Sequence, residues 1–443
     1  MRLTVIGTGY VGAVHAACMA DIGHEVLGVD VDEDRIAALT AGTPPFFEPG
    51  LSETLMRAVD TGRLRFTTSP AEAARFADTH FVCVGTPQHP ETGAADLRYV
   101  EAAVDGLASG LRDSGHERVL VVGKSTVPVG TAARLAERLR ATAPGADVAW
   151  NPEFLREGCA VQDTLRPERI VVGTRKGADW AEARLREIYA PLLDAGAPFI
   201  ATDPATAELV KVASNSFLAT KISFINAMAE ICEAAGADVL TLAEAMGRDS
   251  RIGPRFLAPG LGFGGSCLPK DIRAFATRAE ELGRGGSVAF LRQVDEINTR
   301  QRLRTVDLAA RLLGGSFTGR SVAVLGAAFK PGSDDVRDSP ALVVADEIRR
   351  RGAQVRVHDF EAIDNARVAY PALQFALDVT KACERADVVL HLTEWPQYRD
   401  LDPAALATVV RSPVLVDARN TLDPERWGSA GWALHALGRP GPT

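Results

Sequence analysis

The sequence predicts an α/β protein in which two Rossmann-like, doubly wound parallel-sheet domains are joined by a central helical domain with a long connecting helix. Short apolar strands alternate with helical segments up to about residue 200, and the alternation returns near residue 320. Between them the pattern changes, and residues 205–235 form a run with scarcely a helix breaker. Strands that alternate with helices are typical of a parallel sheet covered on both faces. We therefore expect three domains, at residues 1–200, 201–313 and 314–443, in a chain of 443 residues.

The first element is a βαβ unit. A strand at residues 2–6 runs into Gly7-x-Gly9-x-x-Gly12 and an Ala-rich helix, and a second strand ends at Asp30. Glycines at this spacing allow a tight turn, and the helix N-terminus can receive a pyrophosphate. Asp30 can bind a ribose 2′-hydroxyl and would repel a 2′-phosphate, which favours NAD over NADP. Arg35 could instead pair with a phosphate or stack over an adenine.

Two long helices are predicted in the middle of the chain, at residues 205–235 and 287–313. Their apolar stripes suit pairing with a second subunit. A strand at residues 321–326, a helix at 339–351 and a strand at 354–359 then repeat the shape of the first unit without its G-x-G-x-x-G. This second half is therefore expected to hold a different nucleotide.

The densest chemical signal is the segment Pro259-Gly-Leu-Gly-Phe-Gly-Gly-Ser-Cys-Leu-Pro-Lys-Asp271. Its four glycines would let the backbone press closely against a ligand. Cys267 precedes Pro269, a residue preferred at the start of a helix, and a thiol at a helix N-terminus near Lys270 has its thiolate favoured. We expect Cys267 to be a nucleophile, with Asp271 on the same helix face.

Three other clusters carry polar groups. Asn151-Pro-Glu153-Phe-Leu-Arg-Glu157-Gly158 and Lys124-Ser-Thr126-Val-Pro128 follow strands, at the sheet edge where ligands bind. Lys211 and Asn215 lie four residues apart on the long helix and could form one side of a polar pocket. Taken singly, the two acids could be a solvated helix start and Lys211 a surface lysine.

Composition excludes several classes. A formal charge of −8 argues against a broad nucleic-acid or anionic-membrane surface. Six cysteines with no C-x-x-C pair predict neither a disulfide scaffold nor a zinc site, and we expect no metal. Without a recognisable signal peptide or an apolar run of about 20 residues, the sequence favours a cytoplasmic protein.

With these segments in view, the chain resembles the nucleotide-sugar 6-dehydrogenases of the UDP-glucose/GDP-mannose dehydrogenase family, and within it most closely the members that oxidise UDP-glucose. The resemblance runs in order through Gly7 to Gly12, Asp30 to Arg35, Gly85-Thr-Pro87, Lys124 to Pro128, Asn151 to Gly158, Lys211 to Asn215, Gly262 to Asp271, and Phe329-Lys330 to Arg337. One departure is Ala258, where several relatives carry a lysine; Arg255 could compensate.

The resemblance implies a four-electron oxidation of a sugar C6 alcohol to a carboxylate with two NAD in succession, through a thiohemiacetal and a thioester on Cys267. It implies a nucleotide-sugar substrate and a homodimer to which Arg251 is donated across the interface. Catalytic roles fall to Cys267, Lys211, Asp271, Asn215, Thr126 and Glu153. NAD would contact Gly7, Gly9, Tyr10, Val11, Gly12, Asp30, Arg35, Thr86, Thr126, Glu157 and Arg337. The substrate would contact Glu153, Phe154, Leu155, Glu157, Lys211, Asn215, Arg251, Phe256, Leu257, Gly264, Phe329, Lys330 and Arg419.

Three alternatives stay open on these residues. A sister enzyme would act on dTDP-glucose, GDP-mannose or a UDP-N-acetylhexosamine, since spacing does not read the base or the sugar epimer. A two-electron 3-hydroxyacid dehydrogenase would need neither Cys267 nor a third domain. A non-catalytic NAD-binding protein would have little reason to keep Cys267, Lys211 and Asp271 together.

Overall fold

The computed structural model describes residues 1–440 of the chain. They form two compact units. The first holds residues 1–214 and 277–283, and the second holds residues 215–276 together with the chain from residue 284 onward.

An eight-stranded sheet is the centre of the first unit. Its strands are β1 Arg2–Ile6, β2 Glu25–Val29, β3 Leu64–Thr67, β4 Thr79–Val82, β5 Val119–Gly123, β6 Ala146–Trp150, β7 Ile170–Gly173 and β8 Phe199–Thr202. They lie in the order β3-β2-β1-β4-β5-β6-β7-β8. Every neighbouring pair is parallel except β6 and β7, which meet at one antiparallel pair, Trp150 and Gly173. The chain order reverses at β1, which is where doubly wound sheets bind ligands.

Helices cover both faces of this sheet. They are α1 Tyr10–Asp21, α2 Glu33–Thr40, α3 Leu51–Asp60, α4 Pro70–Phe76, α5 Arg98–Leu111, α6 Thr131–Thr142, α7 Ala160–Leu165, α8 Asp179–Ile188 and α9 Ala190–Asp194. Two separate clusters of buried apolar side chains form the cores of the two layers. The predicted βαβ unit at the N-terminus is present, with its second strand ending at Val29, one residue before the predicted Asp30.

The long helices of the middle section are present as well. They are α10 Pro204–Ala235, α11 Val239–Gly247, α12 Leu268–Glu281 and α13 Phe290–Leu312, with a 3₁₀ turn at Gly285–Val288. The prediction started the last helix at residue 287, which is in the 3₁₀ turn, three residues before α13 begins. The C-terminal end of α12, from Thr277, belongs to the first unit, which the sequence did not indicate.

A second parallel sheet fills the rest of the second unit. Its strands are β9 Ser321–Leu325, β10 Gln354–His358, β11 Gln374–Phe375, β12 Val388–His391, β13 Val414–Asp417 and β14 Ala433–Ala436. Their order is β11-β10-β9-β12-β13-β14, and all pairs are parallel. The helices α14 Pro340–Arg350, α15 Ile363–Ala369, α16 Val379–Cys383, α17 Pro396–Arg399, α18 Pro403–Ala407 and α19 Pro424–Ser429 surround it. The α/β fold class predicted from the sequence is confirmed.

Within residues 1–440 no helix is both long and apolar enough to cross a membrane. In the same part of the chain, no group of three or more His, Cys, Asp or Glu side chains is placed to hold a metal ion.

Candidate active site

The glycine turn after β1 has the geometry of a phosphate-binding turn. Gly7 has φ +87°, and a Cβ there would lie 2.7 Å from the Val84 side chain. A Cβ on Gly12 would lie 1.8 Å from the Gly7 carbonyl oxygen, so the helix can approach the strand only at glycine. Gly9 faces open space and caps α1 without a side-chain hydrogen bond, which leaves the first amides of the helix for a ligand. These features fit the pyrophosphate of a dinucleotide.

Asp30 stands just after β2, where a ribose would be read. It is buried and accepts hydrogen bonds from the Thr8 amide at 2.8 Å, the Thr8 hydroxyl at 3.1 Å and the Asp32 amide at 3.2 Å. Arg35 pairs at 3.0 Å with Asp30 Oδ1, the oxygen that also accepts the Asp32 amide. Burial alone would raise the pKa of Asp30, but these amides and the guanidinium hold that pKa below its usual value. The carboxylate is therefore fixed and charged; Arg35 is half-exposed beside it, and its predicted contact with NAD stays a prediction.

Glu153 and Lys211 form a buried ion pair in the first unit. The Lys211 ammonium lies 2.8 Å from Glu153 Oε1, and the two side chains are only 6% and 8% exposed. The second oxygen of Glu153 accepts the Leu155 amide at 2.6 Å. Lys211 is thus not a surface lysine, and Glu153 is not part of a solvated helix start. Asn215 follows Lys211 by one turn of α10.

A second buried ammonium, Lys124, interacts electrostatically with both members of this pair. Its Nζ donates to the Asn151 side-chain oxygen at 3.0 Å, which also accepts from the Tyr189 hydroxyl at 2.6 Å. Burial lowers the pKa of Lys124, with repulsion from Lys211 in the same direction and attraction to Glu153 against it. Sequence reasoning noted Lys124 in a motif but assigned it no role; its position at the end of a buried strand was the available signal.

Cys267 is exposed and immediately precedes the first residue of α12. The Asp271 amide donates to the Cys267 carbonyl at 2.9 Å, so the helix has begun where the sequence predicted. Ser266 Oγ lies 3.5 Å from Cys267 Sγ. By contrast, burial raises the pKa of the Cys18, Cys83 and Cys383 thiols to about 12. Those thiols are unsuited to be nucleophiles, and Cys267 has the accessibility that a nucleophile needs.

Asp271, one turn into α12, is buried between two donors. Asn215 Nδ2 donates to its Oδ2 at 2.7 Å, and Lys270 donates to its Oδ1 at 2.6 Å. Two residues predicted as catalytic, Asn215 and Asp271, are therefore in direct contact within the second unit. The amide orientation of Asn215 is fixed by the carboxylate, which leaves its oxygen to face elsewhere.

The glycines before Cys267 are needed for close packing against other segments of the second unit, and their predicted approach to a ligand stays a prediction. A Cβ on Gly262 would lie 2.4 Å from Asn298 Oδ1, one on Gly264 would lie 2.3 Å from the Asp338 carbonyl, and one on Gly265 would lie 2.7 Å from the Phe329 ring. The close approach is thus to the protein's own segments. It fixes the loop that carries Cys267.

Two polar side chains of α13, Asn298 and Arg302, form hydrogen bonds with Phe263 in the loop that carries Cys267. Buried Asn298 accepts the Phe263 amide at 2.8 Å and donates to the Phe263 carbonyl at 2.9 Å. Arg302 donates to that carbonyl at 3.1 Å and pairs with Asp338 at 2.8 Å. Sequence reasoning missed both; polar residues four apart on a buried helix face were the signal.

Three predicted substrate residues of the second unit, Phe329, Lys330 and Arg419, follow the ends of β9 and β13. Arg419 donates to the carbonyls of Leu392 at 2.7 Å and Gly262 at 3.1 Å, and it pairs with Glu394 at 3.1 Å. Lys330 lies 5.4 Å from the centre of the Phe329 ring and is half-buried. Arg419 is thus fixed by hydrogen bonds, and Arg419 and Lys330 both remain partly exposed.

For four other predicted site residues, the contacts within the protein do not indicate a ligand. Thr86 donates to the Thr126 carbonyl at 2.8 Å, which leaves the Thr126 hydroxyl uncommitted by that bond. Arg251 and Arg337 are exposed and pair with the nearby Asp249 and Asp335 at 2.6 Å and 2.7 Å. Their predicted contacts stay predictions.

The remaining predicted residues divide by burial. Tyr10, Val11, Phe154, Leu155, Glu157 and Phe256 are half-buried, and the exposed Ala258 leaves room for a longer side chain. Leu257 packs in a small core cluster with Ile225 and Ala229, so a predicted contact with substrate would come from its backbone.

Three family models match consecutive parts of the chain. They describe the UDP-glucose/GDP-mannose dehydrogenase family: its NAD binding domain matches residues 1–193, its central domain residues 205–300 and its UDP binding domain residues 323–424.

Individual proteins match over nearly the whole chain. A UDP-glucose 6-dehydrogenase of Rhizobium meliloti is 41% identical, over 99% of this chain and 100% of its own length. A solved UDP-glucose dehydrogenase from Pyrobaculum islandicum superposes with a TM-score of 0.91 at 41% identity, covering 99% of this chain and 98% of that one. A UDP-D-ManNAc dehydrogenase from Pyrococcus horikoshii gives 0.85 at 26% identity, with 99% of both chains covered.

The resemblance read from the motifs is thereby confirmed, and so is the NAD-binding class of the first sheet. The chain belongs to the UDP-glucose/GDP-mannose dehydrogenase family of NAD-dependent oxidoreductases.

Proposed function

We propose that the protein oxidises UDP-glucose to UDP-glucuronate, with two NAD and one water consumed and two NADH formed. The UDP binding domain of the family matches residues 323–424, which supports a uridine nucleotide. Relatives named for UDP-glucose are 41% identical over the whole chain, whereas the UDP-D-ManNAc dehydrogenase is 26% identical. The difference favours glucose among the possible sugars.

The observation that carries the proposal is that one chain holds both a dinucleotide turn and an exposed cysteine at the start of a helix. The first oxidation removes a hydride from C6 and a proton from the C6 hydroxyl, which gives an aldehyde. The Cys267 thiolate then adds to the aldehyde carbon, so that a C–S bond forms, the C=O π bond breaks and the C6 oxygen becomes an alkoxide. Loss of a second hydride from this thiohemiacetal alkoxide gives a thioester. Water adds to the thioester carbonyl, the C–S bond breaks, and the thiolate leaves with the carboxylate as product.

The polar residues are proposed to act on the oxygens of these intermediates. The Lys211 ammonium and the Asn215 side chain stabilise the negative charge that develops on the C6 oxygen, because preorganised donors lower the energy of an oxyanion. Asp271, already bonded to Asn215 and Lys270, organises the base or water with Thr126, and Glu153 assists hydrolysis. All eight histidines lie outside these motifs, so the proposed proton carriers are carboxylate, ammonium and water.

Two sets of residues are proposed to hold the ligands. Gly7 to Gly12, Asp30, Arg35, Thr86, Glu157 and Arg337 hold NAD, which when bound accepts the hydride in each oxidation. Phe154, Leu155, Phe256, Leu257, Gly264, Phe329, Lys330 and Arg419 hold the nucleotide sugar.

NADH yield tests the reaction. With limiting UDP-glucose and excess NAD, we expect about two NADH per sugar and a product of carboxylate mass. One NADH per sugar would instead support a two-electron 3-hydroxyacid type of dehydrogenase. A panel of UDP-N-acetylhexosamines, dTDP-glucose and GDP-mannose identifies a sister activity, and failure on UDP-glucose alone would reject the proposed substrate.

We further propose that the protein is a homodimer paired along α10. Phe217, Phe224 and Ile231 are 67%, 45% and 61% exposed and recur every seven residues on this helix. Such a stripe of large apolar side chains is typical of a helix that pairs with another. A second copy of the chain would cover it.

Arg251 is proposed to act in the partner's site, and mixed dimers test this. Neither R251A nor C267A homodimers should be fully active. A dimer of one R251A and one C267A chain regains one complete site if Arg251 is donated across the interface, and none if it acts in its own subunit. No regain of activity on mixing under exchange conditions would reject the donation.

The division into domains at 1–200, 201–313 and 314–443 is kept as part of the proposal, supported by the order of the matched family models; residues 441–443 lie outside the described chain. A cytoplasmic location is likewise proposed, because NAD and nucleotide sugars are its expected substrates.

A further inference from the structure

Glu48 is a buried carboxylate that no motif of the sequence analysis includes. It lies between α2 and α3 and is 4% exposed. Its Oε2 accepts the Gly158 amide at 2.6 Å and its Oε1 accepts the Ala160 amide at 2.6 Å. The Tyr10 hydroxyl donates to Oε2 as well. Each of these partners is a hydrogen-bond donor.

These partners belong to two functional segments of the first unit. Tyr10 follows Gly9 directly and opens α1, the helix of the cofactor turn. Gly158 closes the segment that carries Glu153 and Glu157. Phe46, two residues before Glu48, packs on the Tyr10 ring with centroids 4.7 Å apart. Glu48 therefore ties the start of the cofactor helix to the end of the Glu153 segment.

The bonding pattern requires a carboxylate. In the described part of the chain no Lys, Arg or His pairs with Glu48, so its charge is balanced by amides and a phenol alone. A glutamine would offer one acceptor oxygen and would turn an NH₂ group toward another donor. Ala160 is the first residue of α7, so the carboxylate also lies at the N-terminus of that helix, where a negative charge is favoured.

Beyond the proposed function, and resting on it, we infer that Glu48 is a positioning residue that couples NAD binding to the placement of the Glu153–Gly158 segment. When the cofactor turn is occupied, the position of Tyr10 is fixed, and through Glu48 so is the segment that presents Glu153 and Glu157. Loss of Glu48 should thus weaken NAD binding and lower turnover together, although Glu48 touches neither ligand.

The test compares E48Q with E53Q, a substitution of a neighbouring glutamate that is exposed on α3. We expect E48Q to raise the KM for NAD roughly 10–100-fold and to lower kcat, since small misplacements of catalytic groups have effects of that size. E53Q should match the wild type. A lowered Tm with an unchanged KM and kcat in the folded fraction would show a merely structural role and overturn the inference.

A double-mutant cycle with Y10F separates the coupling from general damage. Because Tyr10 acts through the same carboxylate, the effect of E48Q on the NAD Kd should be smaller in the Y10F background. Additive effects would overturn the inference. The NAD Kd is measured by calorimetry without sugar, so the result stands even if UDP-glucose is not oxidised, which would count against the proposed function alone.

Discussion

The buried ion pair of Lys211 and Glu153 contributes to protein stability and, by our proposal, to catalysis. Lys211→Met should impair both, and adding E153Q should restore the stability but not the activity. Lys211 and Glu153 lie 2.8 Å apart, and their side chains are 6% and 8% exposed. Removing only the ammonium leaves a buried carboxylate without its cation. Such single deletions cost about 3–5 kcal/mol, a large part of the ~5–15 kcal/mol that holds a typical protein folded.

The double variant K211M/E153Q removes both charges. The side-chain amide oxygen that E153Q introduces can still accept the Leu155 amide, which lies 2.6 Å from Glu153 Oε2 in the unaltered protein. Replacing a whole buried pair with neutral groups is often close to neutral for stability. We therefore expect the double variant to regain all but about 1–2 kcal/mol of the loss. Activity should not return, because kcat falls by roughly 10²–10³ when an oxyanion donor is removed.

Urea unfolding followed by tryptophan fluorescence measures the stability, and initial NADH formation measures kcat. The control is K176M, because Lys176 is an exposed lysine of the same unit and its loss should change stability by less than about 0.5 kcal/mol. A double variant that recovers activity would refute the catalytic role of Lys211. A single variant as stable as K176M would refute the argument from the buried pair.

Four further changes have defined outcomes. C267S should release the acid product very slowly while an ester-linked sugar adduct accumulates, visible by intact mass spectrometry; unimpaired full oxidation would contradict the assignment. Asp30→Ala should raise the KM for NAD about 10–100-fold, the size of a lost bond to a charged acceptor, and raise the NADP/NAD ratio of kcat/KM; an unchanged ratio would contradict the role of Asp30. F224E should convert a dimer to monomers in light scattering, and an intact dimer would place the interface elsewhere. Burial lowers the pKa of His80 to about 3, so this side chain takes up a proton on unfolding below about pH 6.5 and by itself should lower stability by about 1.4 kcal/mol per pH unit toward pH 3. Burial lowers the pKa of His15 in the same direction, so His80→Asn should reduce the pH slope of the urea midpoints without abolishing it; an unchanged slope would contradict the contribution of His80.

Local patterns allowed much of the fold to be predicted. The first βαβ unit and α10 have strong short-range signals, namely glycines at fixed spacing and a long run without breakers. The antiparallel contact of Trp150 with Gly173 has no such signal, because strand direction depends on a connection whose path the sequence does not specify. Nor does any local pattern show that α12 passes from one unit to the other after residue 276.

A candidate site residue could be predicted where a reactive side chain occupies a recognisable place in a local element. Cys267 was singled out from its place before a helix, and the structure shows that its side chain is exposed. Glu48, Asn298 and Lys124 were not assigned roles, because each acts through a partner more than 20 residues away along the chain. Long-range hydrogen bonds leave no periodic trace in a single sequence.

The two sheets show how one local shape is used in different ways. In each, an aspartate follows the second strand, and a glycine with positive φ follows the first: Asp30 with Gly7, and Asp359 with Gly326. Asp359 is saturated by protein, because its oxygens accept the amides of residues 327, 328, 361 and 362 and the Trp395 indole. Asp30 accepts from two backbone amides, the Thr8 hydroxyl and the Arg35 guanidinium, and it keeps slightly more exposure, 8% against 2%. Four of the five donors to Asp359 are backbone amides, which cannot turn away, whereas two of the four donors to Asp30 are side chains that a ribose hydroxyl can displace. This is a physical reason for the second sheet to bind its nucleotide by other groups.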